Sequence, residues 1–195
     1  MSAKPILMNT EMVRALLDGR KTVTRRVVKK PQIDAVLSSP ARLENPDIED
    51  FKFIKCLCDA PCEPGDILWV RETWTTVPDG SYVYKASVEC PDAWKGTWRP
   101  SIHMPKEAAR LFLRVTSVWV ERLQEITPQQ IDAEGCCEYA YDAKTGKPAP
   151  TGPSWFKILW DKTIKPAEQA TYGWKANPWV WVIGFERIGR EEAHP

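Results

Sequence analysis

The chain has almost no net charge, few histidines and no long apolar run, and each shortage excludes a class of protein. Its 195 residues contain 27 Lys and Arg against 26 Asp and Glu, for a formal net charge of +1. Because the two signs are nearly balanced, the protein has no overall electrostatic field that would attract nucleic acid or a membrane surface. No stretch approaches the roughly 20 apolar residues that span a bilayer, and no apolar run follows the initial methionine as in a secretory signal. We therefore expect a cytoplasmic protein with no membrane partner.

The six cysteines do not form a familiar metal motif. Cys56, Cys58 and Cys62 lack the C-x-x-C spacing of zinc sites, and the two histidines lie far away in sequence. Completing a zinc site would require a more distant thiol, from Cys90, Cys136 or Cys137. Free thiols are the usual state of cysteine in the cytoplasm. We therefore expect neither a metal nor a cofactor.

Charge is unevenly distributed along the chain. Residues 14–30 contain seven cations and one acid, whereas residues 44–66 contain seven acids and two cations. The two segments are either a local basic patch and its acidic counterpart or two solvated faces that complement each other.

The basic segment is densest in the run Gly19-Arg20-Lys21-Thr22-Val23-Thr24-Arg25-Arg26. A lysine crowded by arginines loses proton affinity, because each neighbour disfavours its charged form. A neutral amine beside a hydroxyl is a base–nucleophile pair. The same residues can instead bind phosphate. The run therefore indicates either catalysis or anion binding.

Local patterns predict several strands and few, short helices. Asn9 or Thr10 as the cap and Gly19 as the stop predict a helix over 10–19, and a capping box of Thr127 and Gln130 predicts one over 127–134. Apolar residues at helical spacing predict a helix over 154–163. Alternation and β-branched residues predict strands over 22–28, 67–74, 81–85, 110–123 and 178–188. Segments 31–50, 86–109 and 141–153 are predicted to be irregular.

These elements predict a single α+β domain over residues 1–195. With no internal repeat, the strands suggest a mixed β-barrel with short flanking helices. The ten tryptophans suit a barrel core or its open ends, and one or two of them suit stacking on a base.

Five motifs carry a resemblance to a known family. They are Gly19-x-Lys21-x-x-Thr24-x-Arg26, Pro64–Trp74, Trp98–Pro105, Arg122–Thr127 continuing to Ala133-Glu134-Gly135, and Asn177–Val182. In this order they resemble the ASCH family, a branch of the PUA-like barrels, and most closely its long phage and prophage members. The family's usual pattern is GxKxxExR, so Thr24 stands where glutamate is common. The resemblance implies insertions near 31–50, 75–109 and 140–176.

The threonine variant is similar to a bacterial branch of the family that removes acetyl from N(4)-acetylcytidine. This resemblance implies that Lys21, Thr24 and Glu134 are catalytic. It implies an amidohydrolase acting on the exocyclic amine of N(4)-acetylcytidine or a related modified nucleoside. The alternatives are an RNA-binding PUA-like module and a ribonuclease that cleaves single-stranded RNA.

The spacing of Lys21 and Thr24 restricts how they can meet. In a regular strand, residues three apart face opposite ways, so Lys21 must lie in the helix–strand connection, where Gly19 permits a bend. Thr24 and Arg26 would then share one face and Arg25 the other. Lys21 acts as a base only when neutral, which requires its pKa to fall by about 3 units from about 10.4.

In the catalytic interpretation, Thr24 attacks or positions water, Lys21 deprotonates it, and Glu134 holds the cytosine edge or relays the proton. In the structural interpretation, Lys21 and Glu134 form only a salt bridge.

Further residues are predicted around this set. Arg26 is expected to pair with an acid, for which Glu72 is the candidate, or with carbonyls, since a buried arginine needs such partners; the alternative is a contact with substrate. The predicted substrate contacts are Arg26, Glu72, Trp74, Trp98 and Ser101, with His103 beside Ser101.

Overall fold

Strands from both ends of the chain form one mixed sheet. The computed structural model describes residues 3–29, 60–136 and 152–193. The strands of this sheet are β1 (Lys4–Leu7), β2 (Val23–Val27), β3 (Ile67–Arg71), β6 (Phe112–Arg122) and β7 (Trp179–Ile188). Their order is β1-β3-β6-β7-β2, with β1 parallel to β3 and the other pairs antiparallel. A separate hairpin pairs β4 (Trp74–Thr76) with β5 (Tyr82–Tyr84).

The helices are short, as predicted. They are α1 (Thr10–Leu17), α2 (Pro128–Ala133), α3 (Gly152–Thr163) and α4 (Gln169–Tyr172). Much of the region between β5 and β6 consists of single 3₁₀ turns. Among the described helices, none has the length and apolar character needed to cross a membrane.

The predicted helix caps are confirmed. The Asn9 side chain accepts the Met12 N–H at 2.8 Å, and α1 is followed by Gly19 at φ +75°. At α2, Thr127 and Gln130 each accept a hydrogen bond from the other's backbone N–H. These ends were predictable because a cap is a local interaction between neighbouring residues.

Two strands differ from the prediction. β1 was not predicted, because it has only four residues and only Ile6 is buried. The strand expected over 67–74 divides after Arg71: the Glu72 N–H donates to Met104 Sδ at 3.2 Å, and Trp74 pairs with the second hairpin strand. The expected irregular segment 31–50, and nearly all of 141–153, lie outside the described residues.

The two edge strands, β1 and β2, do not pair with each other in the described residues, so these strands form an open sheet. The α+β class with short helices is therefore correct, whereas the expected closed barrel is not formed by the described strands. A side chain spans the gap instead: Arg26 Nη2 on β2 donates to the Leu7 carbonyl at the end of β1, at 2.9 Å.

Each face of the sheet is covered by helices. Val13 and Leu16 of α1 belong to the cluster on one face, with Trp181 and Ile183 of β7. The other face packs against α2 and α3 through Val180 and Val182, among others.

The register of β2 assigns its side chains to these faces. Thr24 lies opposite Ile183 and Arg26 opposite Trp181, whereas Arg25 lies opposite Val182. Because directly opposed residues share a face, Thr24 and Arg26 face the α1 side and Arg25 faces α2 and α3. This alternation is the one predicted.

Candidate active site

The site begins where the end of α2 packs against the connection between α1 and β2. A backbone hydrogen bond of 2.8 Å joins the two segments. Gly135 has φ +84°, and a Cβ there would lie 2.5 Å from the Ala15 Cβ and 3.2 Å from the Lys21 Cβ. Only glycine permits this approach, and the approach places Glu134 beside Lys21.

Lys21 and Glu134 form a buried ion pair. The side chains are 1% and 6% exposed, and Lys21 Nζ lies 2.6 Å from Glu134 Oε2. Nζ also donates to the carbonyls of Glu134 at 2.9 Å and Val23 at 2.7 Å. An ammonium has three donors, so all of them are used. As predicted, Lys21 precedes the strand, which begins at Val23.

The surroundings of Lys21 have opposing effects on its pKa, and the net effect is to lower it. Burial lowers the pKa of the amine, the Glu134 carboxylate raises it, and the nearby Arg26 guanidinium lowers it further. Burial, not crowding by arginines, is the larger cause. The three oxygens that accept from Nζ favour the charged form, whereas burial makes loss of a proton easier than from an exposed lysine.

Arg25 extends the pair into a network of four charges. Its Nη1 donates to Glu134 Oε1 at 3.1 Å, and its Nε and Nη2 contact Glu121 Oε1 at 2.9 and 2.5 Å. Glu121 Oε2 accepts from the Trp119 indole N–H at 2.9 Å. Two cations therefore alternate with two anions, which offsets the cost of burying each.

Arg25 and Glu121 were not predicted as functional residues. One signal was present: Arg25 shares its strand face with Val23 and Val27, and a charge on such a face needs a partner. The identity of that partner was not predictable, because Glu121 lies 96 positions away.

On the opposite face of β2, the Thr24 hydroxyl is held by Arg26. Arg26 Nη1 donates to Thr24 Oγ1 and to the Arg25 carbonyl, both at 2.8 Å. No hydrogen bond joins Lys21 Nζ to Thr24 Oγ1 among these described groups. The expected direct amine–hydroxyl contact is therefore not formed, and the hydroxyl proton of Thr24 is left for another acceptor.

A cavity of about 690 Å³ brings the predicted catalytic residues together. Its polar lining residues include Lys21, Thr24, Arg25, Arg26, Thr73, Ser101 and Glu134. Its apolar lining residues include Leu7, Met8, Met12, Phe156, Leu159, Trp160 and Ile164. The volume lies within the range of about 300–1,000 Å³ that is typical of small-molecule sites.

The expected pair between Arg26 and Glu72 is wrong. Glu72, whose side chain is 1% exposed, accepts from Arg110 Nε at 2.8 Å and Nη2 at 2.9 Å. The planar guanidinium of Arg110 matches both carboxylate oxygens. Arg26 has instead used its donors on Thr24 and on backbone carbonyls.

The two predicted tryptophans are not among the described lining residues of this cavity. Trp74 is 4% exposed, and the Arg99 guanidinium lies 5.0 Å from its ring centroid. Trp98 packs on Trp94 with ring centroids 5.4 Å apart. His103 is exposed and likewise does not line it. Their roles as substrate contacts stay predictions, whereas Ser101 does line the cavity.

The arginines of the basic segment bind acceptors within the protein. Arg14 donates to the carbonyls of Ala86 and Val88 at 3.1 and 3.2 Å, and Arg20 pairs with Asp18 at 2.8 Å. With Arg25 and Arg26 engaged as described, the segment has internal partners. Because these arginines are bound within the protein, the arrangement favours a specific site over a general phosphate-binding patch.

Burial raises the pKa of the Cys62 thiol to about 11, which opposes the thiolate form that a metal requires. Cys136 is also buried and Cys90 is exposed. Within residues 3–29, 60–136 and 152–193, no group of three or more His, Cys, Asp and Glu side chains is arranged to hold a metal. Cys56, Cys58 and Cys137 lie outside the described residues.

No protein-family model, curated protein or solved structure matches the chain. The structure itself defines a protein of mixed helices and strands, with a buried Lys–Glu–Arg–Glu network beside a cavity of small-molecule size.

Proposed function

We propose that the chain is an ASCH-type, PUA-like amidohydrolase that removes an acyl group from N(4)-acetylcytidine or a related modified nucleoside. The observation that carries this proposal is the buried Lys21–Glu134 pair, 2.6 Å apart, on the same cavity as the Thr24 hydroxyl. The motif Gly19-x-Lys21-x-x-Thr24-x-Arg26 supports the family assignment. In this proposed fold, the Arg26 side chain bridges the sheet edges that a closed barrel would pair.

The proton path begins with Lys21 as an ammonium. When substrate displaces water from the cavity, the desolvated pair favours its neutral form, and Lys21 passes a proton to Glu134 Oε2. The neutral amine then accepts the proton of Thr24 through a bridging water, or accepts a proton of that water itself. Arg26 donates to Oγ1 and stabilises the negative charge that develops there.

The oxygen so activated attacks the acyl carbonyl carbon. The C–N(4) bond breaks, its electron pair stays on the nitrogen, and that nitrogen takes a proton delivered from Glu134 through Lys21. If Thr24 itself attacks, water then hydrolyses the ester and frees the acid. Glu134 serves as the relay because its Oε2 lies 2.6 Å from Lys21 Nζ.

The proposal is tested by incubating the protein with N(4)-acetylcytidine and separating cytidine and acetate by chromatography. Lys21→Met and Thr24→Val are expected to lower kcat by about 10²–10⁴-fold, the usual contribution of a positioned base or its partner. Thr22→Val is the matched control, because Thr22 is exposed and two positions away. It should retain wild-type turnover.

Lys21→Met removes one partner of a buried pair, which typically costs about 3–5 kcal/mol. The double variant Lys21→Met/Glu134→Gln removes both charges and serves as the folding control, checked by thermal unfolding. Absence of cytidine release from the wild type at micromolar enzyme overturns the proposal. Equal release from folded Lys21→Met and wild type overturns the role of Lys21.

A second function, binding or cleavage of single-stranded RNA, is favoured by a different surface. The exposed Tyr82 packs edge-on against the buried Trp74 with ring centroids 5.6 Å apart, and the guanidinium of the exposed Arg99 lies 5.0 Å from the Trp74 ring centroid. Aromatic and arginine planes of this kind stack on unpaired bases. The affinity of the protein for single-stranded RNA should fall steeply as the salt concentration rises, whereas nucleoside turnover should not. Gel analysis of a labelled single strand distinguishes binding from cleavage.

A further inference from the structure

The cavity is lined by polar and apolar residues, and the proposed reaction uses only polar ones. Its apolar wall at α3 includes Phe156, Leu159 and Trp160, with Ile164 just after the helix. Phe156 and Trp160 are 4% and 7% exposed, with ring centroids 6.3 Å apart. Both belong to the core cluster under β7, so this wall is fixed by packing and not free to collapse into the cavity.

The wall is too large for the acyl group of the simplest substrate. An acetyl group offers one methyl group, whereas the cavity of about 690 Å³ has apolar side chains from two segments, α3 and Leu7–Met12. Apolar surface left against water gains nothing, while apolar surface covered by ligand contributes to binding. The reacting carbonyl must lie at Lys21 and Thr24, so the acyl chain and the nucleoside that extend from its carbon share the remaining lining of the cavity.

We propose that the preferred substrate carries an extended apolar acyl group, butyryl or longer, that packs against α3. This inference rests on the proposed function and specifies its substrate. The reaction is the same hydrolysis. Water supplies the oxygen that bonds to the acyl carbon, the C–N(4) bond breaks, and the products are cytidine and a fatty acid. Phe156, Leu159, Trp160 and Ile164 act as specificity-determining residues and take no part in the chemistry.

The test measures kcat/KM for N(4)-acetyl-, propionyl-, butyryl- and hexanoylcytidine. Each added methylene that becomes buried should raise kcat/KM by about fourfold, the equivalent of its transfer from water. Leu159→Ser should lower the ratio of hexanoyl to acetyl kcat/KM by about tenfold. Ile158→Ser is the matched control: Ile158 is the neighbouring residue on α3, is 39% exposed and is not a lining residue of this cavity in the described structure. It should leave the ratio at the wild-type value.

The outcomes separate the two proposals. If cytidine is released from every substrate but kcat/KM stays constant or falls as the acyl chain lengthens, this inference is overturned and the proposed function stands. Release from none of them overturns the proposed function. In that case calorimetric titration of folded Lys21→Met still decides the inference, which requires tighter binding of hexanoylcytidine than of acetylcytidine. Equal or weaker binding overturns it.

Discussion

Glu134 and Glu72 are both buried glutamates paired with basic side chains, yet their surroundings differ in kind. The Glu72 side chain is 1% exposed and is gripped through both oxygens by one guanidinium, that of Arg110. The Glu134 side chain is 6% exposed and divides its oxygens between Lys21 and Arg25. Glu134 lines the cavity, whereas Glu72 is not among the lining residues described for it.

The difference separates a structural pair from a pair able to transfer a proton. An arginine keeps its proton in proteins, so the Glu72–Arg110 pair has one stable charge state. Burial makes a lysine easier to deprotonate, and burial lowers the pKa of Lys21. Only the Glu134 pair therefore combines a mobile proton with access to a ligand.

The largest expected difference between the two glutamates is tested by neutralising each carboxylate in turn. Glu134→Gln is expected to lower kcat by about 10²–10⁴-fold, because Lys21 loses its proton acceptor. Glu72→Gln should mainly lower thermal stability, because it leaves the Arg110 guanidinium without its ionised partner. Cytidine release per mole of folded protein, together with thermal unfolding, measures both. Similar losses of kcat in the two variants would show that the distinction is false.

The next effect tests the packing that positions Glu134. Gly135→Ala should destabilise the protein by about 2–4 kcal/mol, since it combines a disfavoured positive φ with a Cβ 2.5 Å from the Ala15 Cβ. Gly65→Ala is the control, because Gly65 also has a positive φ, +92°, but its Cβ would contact nothing within 4 Å. That variant should lose about 1 kcal/mol. Equal losses in urea unfolding would contradict the close approach.

A smaller effect concerns pH. The charge of Arg26 lowers the pKa of Lys21, so Arg26→Met raises that pKa. The transfer of a proton from Lys21 to Glu134 then becomes less favourable, so kcat should fall at neutral pH and recover in part at higher pH, where Lys21 loses its proton to solvent instead. Arg114→Met is the control, because Arg114 pairs with Glu186 on the exposed surface at 3.0 Å. A pH profile of kcat that stays in place in Arg26→Met would contradict Lys21 as the base.

The smallest effect completes the comparison with an exposed pair. Lys4 lies 2.7 Å from Asp66, but its side chain is 48% exposed. Lys4→Met should change the free energy of unfolding by less than about 1 kcal/mol, because solvent screens such pairs. Denaturant titration beside Glu72→Gln measures the contrast, and a loss from Lys4→Met as large as that from Glu72→Gln would contradict it.

Much of the local structure was predictable from the sequence. The caps at Asn9 and Thr127, the bend at Gly19 and the face shared by Thr24 and Arg26 all follow from neighbouring residues. The short edge strand β1 was not predictable, because its pairing with β3 depends on residues more than 60 positions away.

The site divides in the same way. The run around Lys21 indicated the chemistry, and the resemblance added Glu134. The partners of Arg25 and Glu72 could not be predicted, because each is chosen by the geometry of two distant elements. The contribution of α3 to the cavity wall was not predicted for a related reason. Its apolar spacing predicts a packed helix but does not indicate the cavity that the helix lines.

By itself the sequence determined the elements and the concentration of cations around one lysine, since caps, alternation and composition act over a few residues. Only the tertiary structure decided which acids face Arg25, which guanidinium holds the threonine, and which side chains line the cavity. Those choices depend on burial, which makes a charge costly without a partner and lowers the pKa of Lys21, and burial exists only once distant segments have packed together.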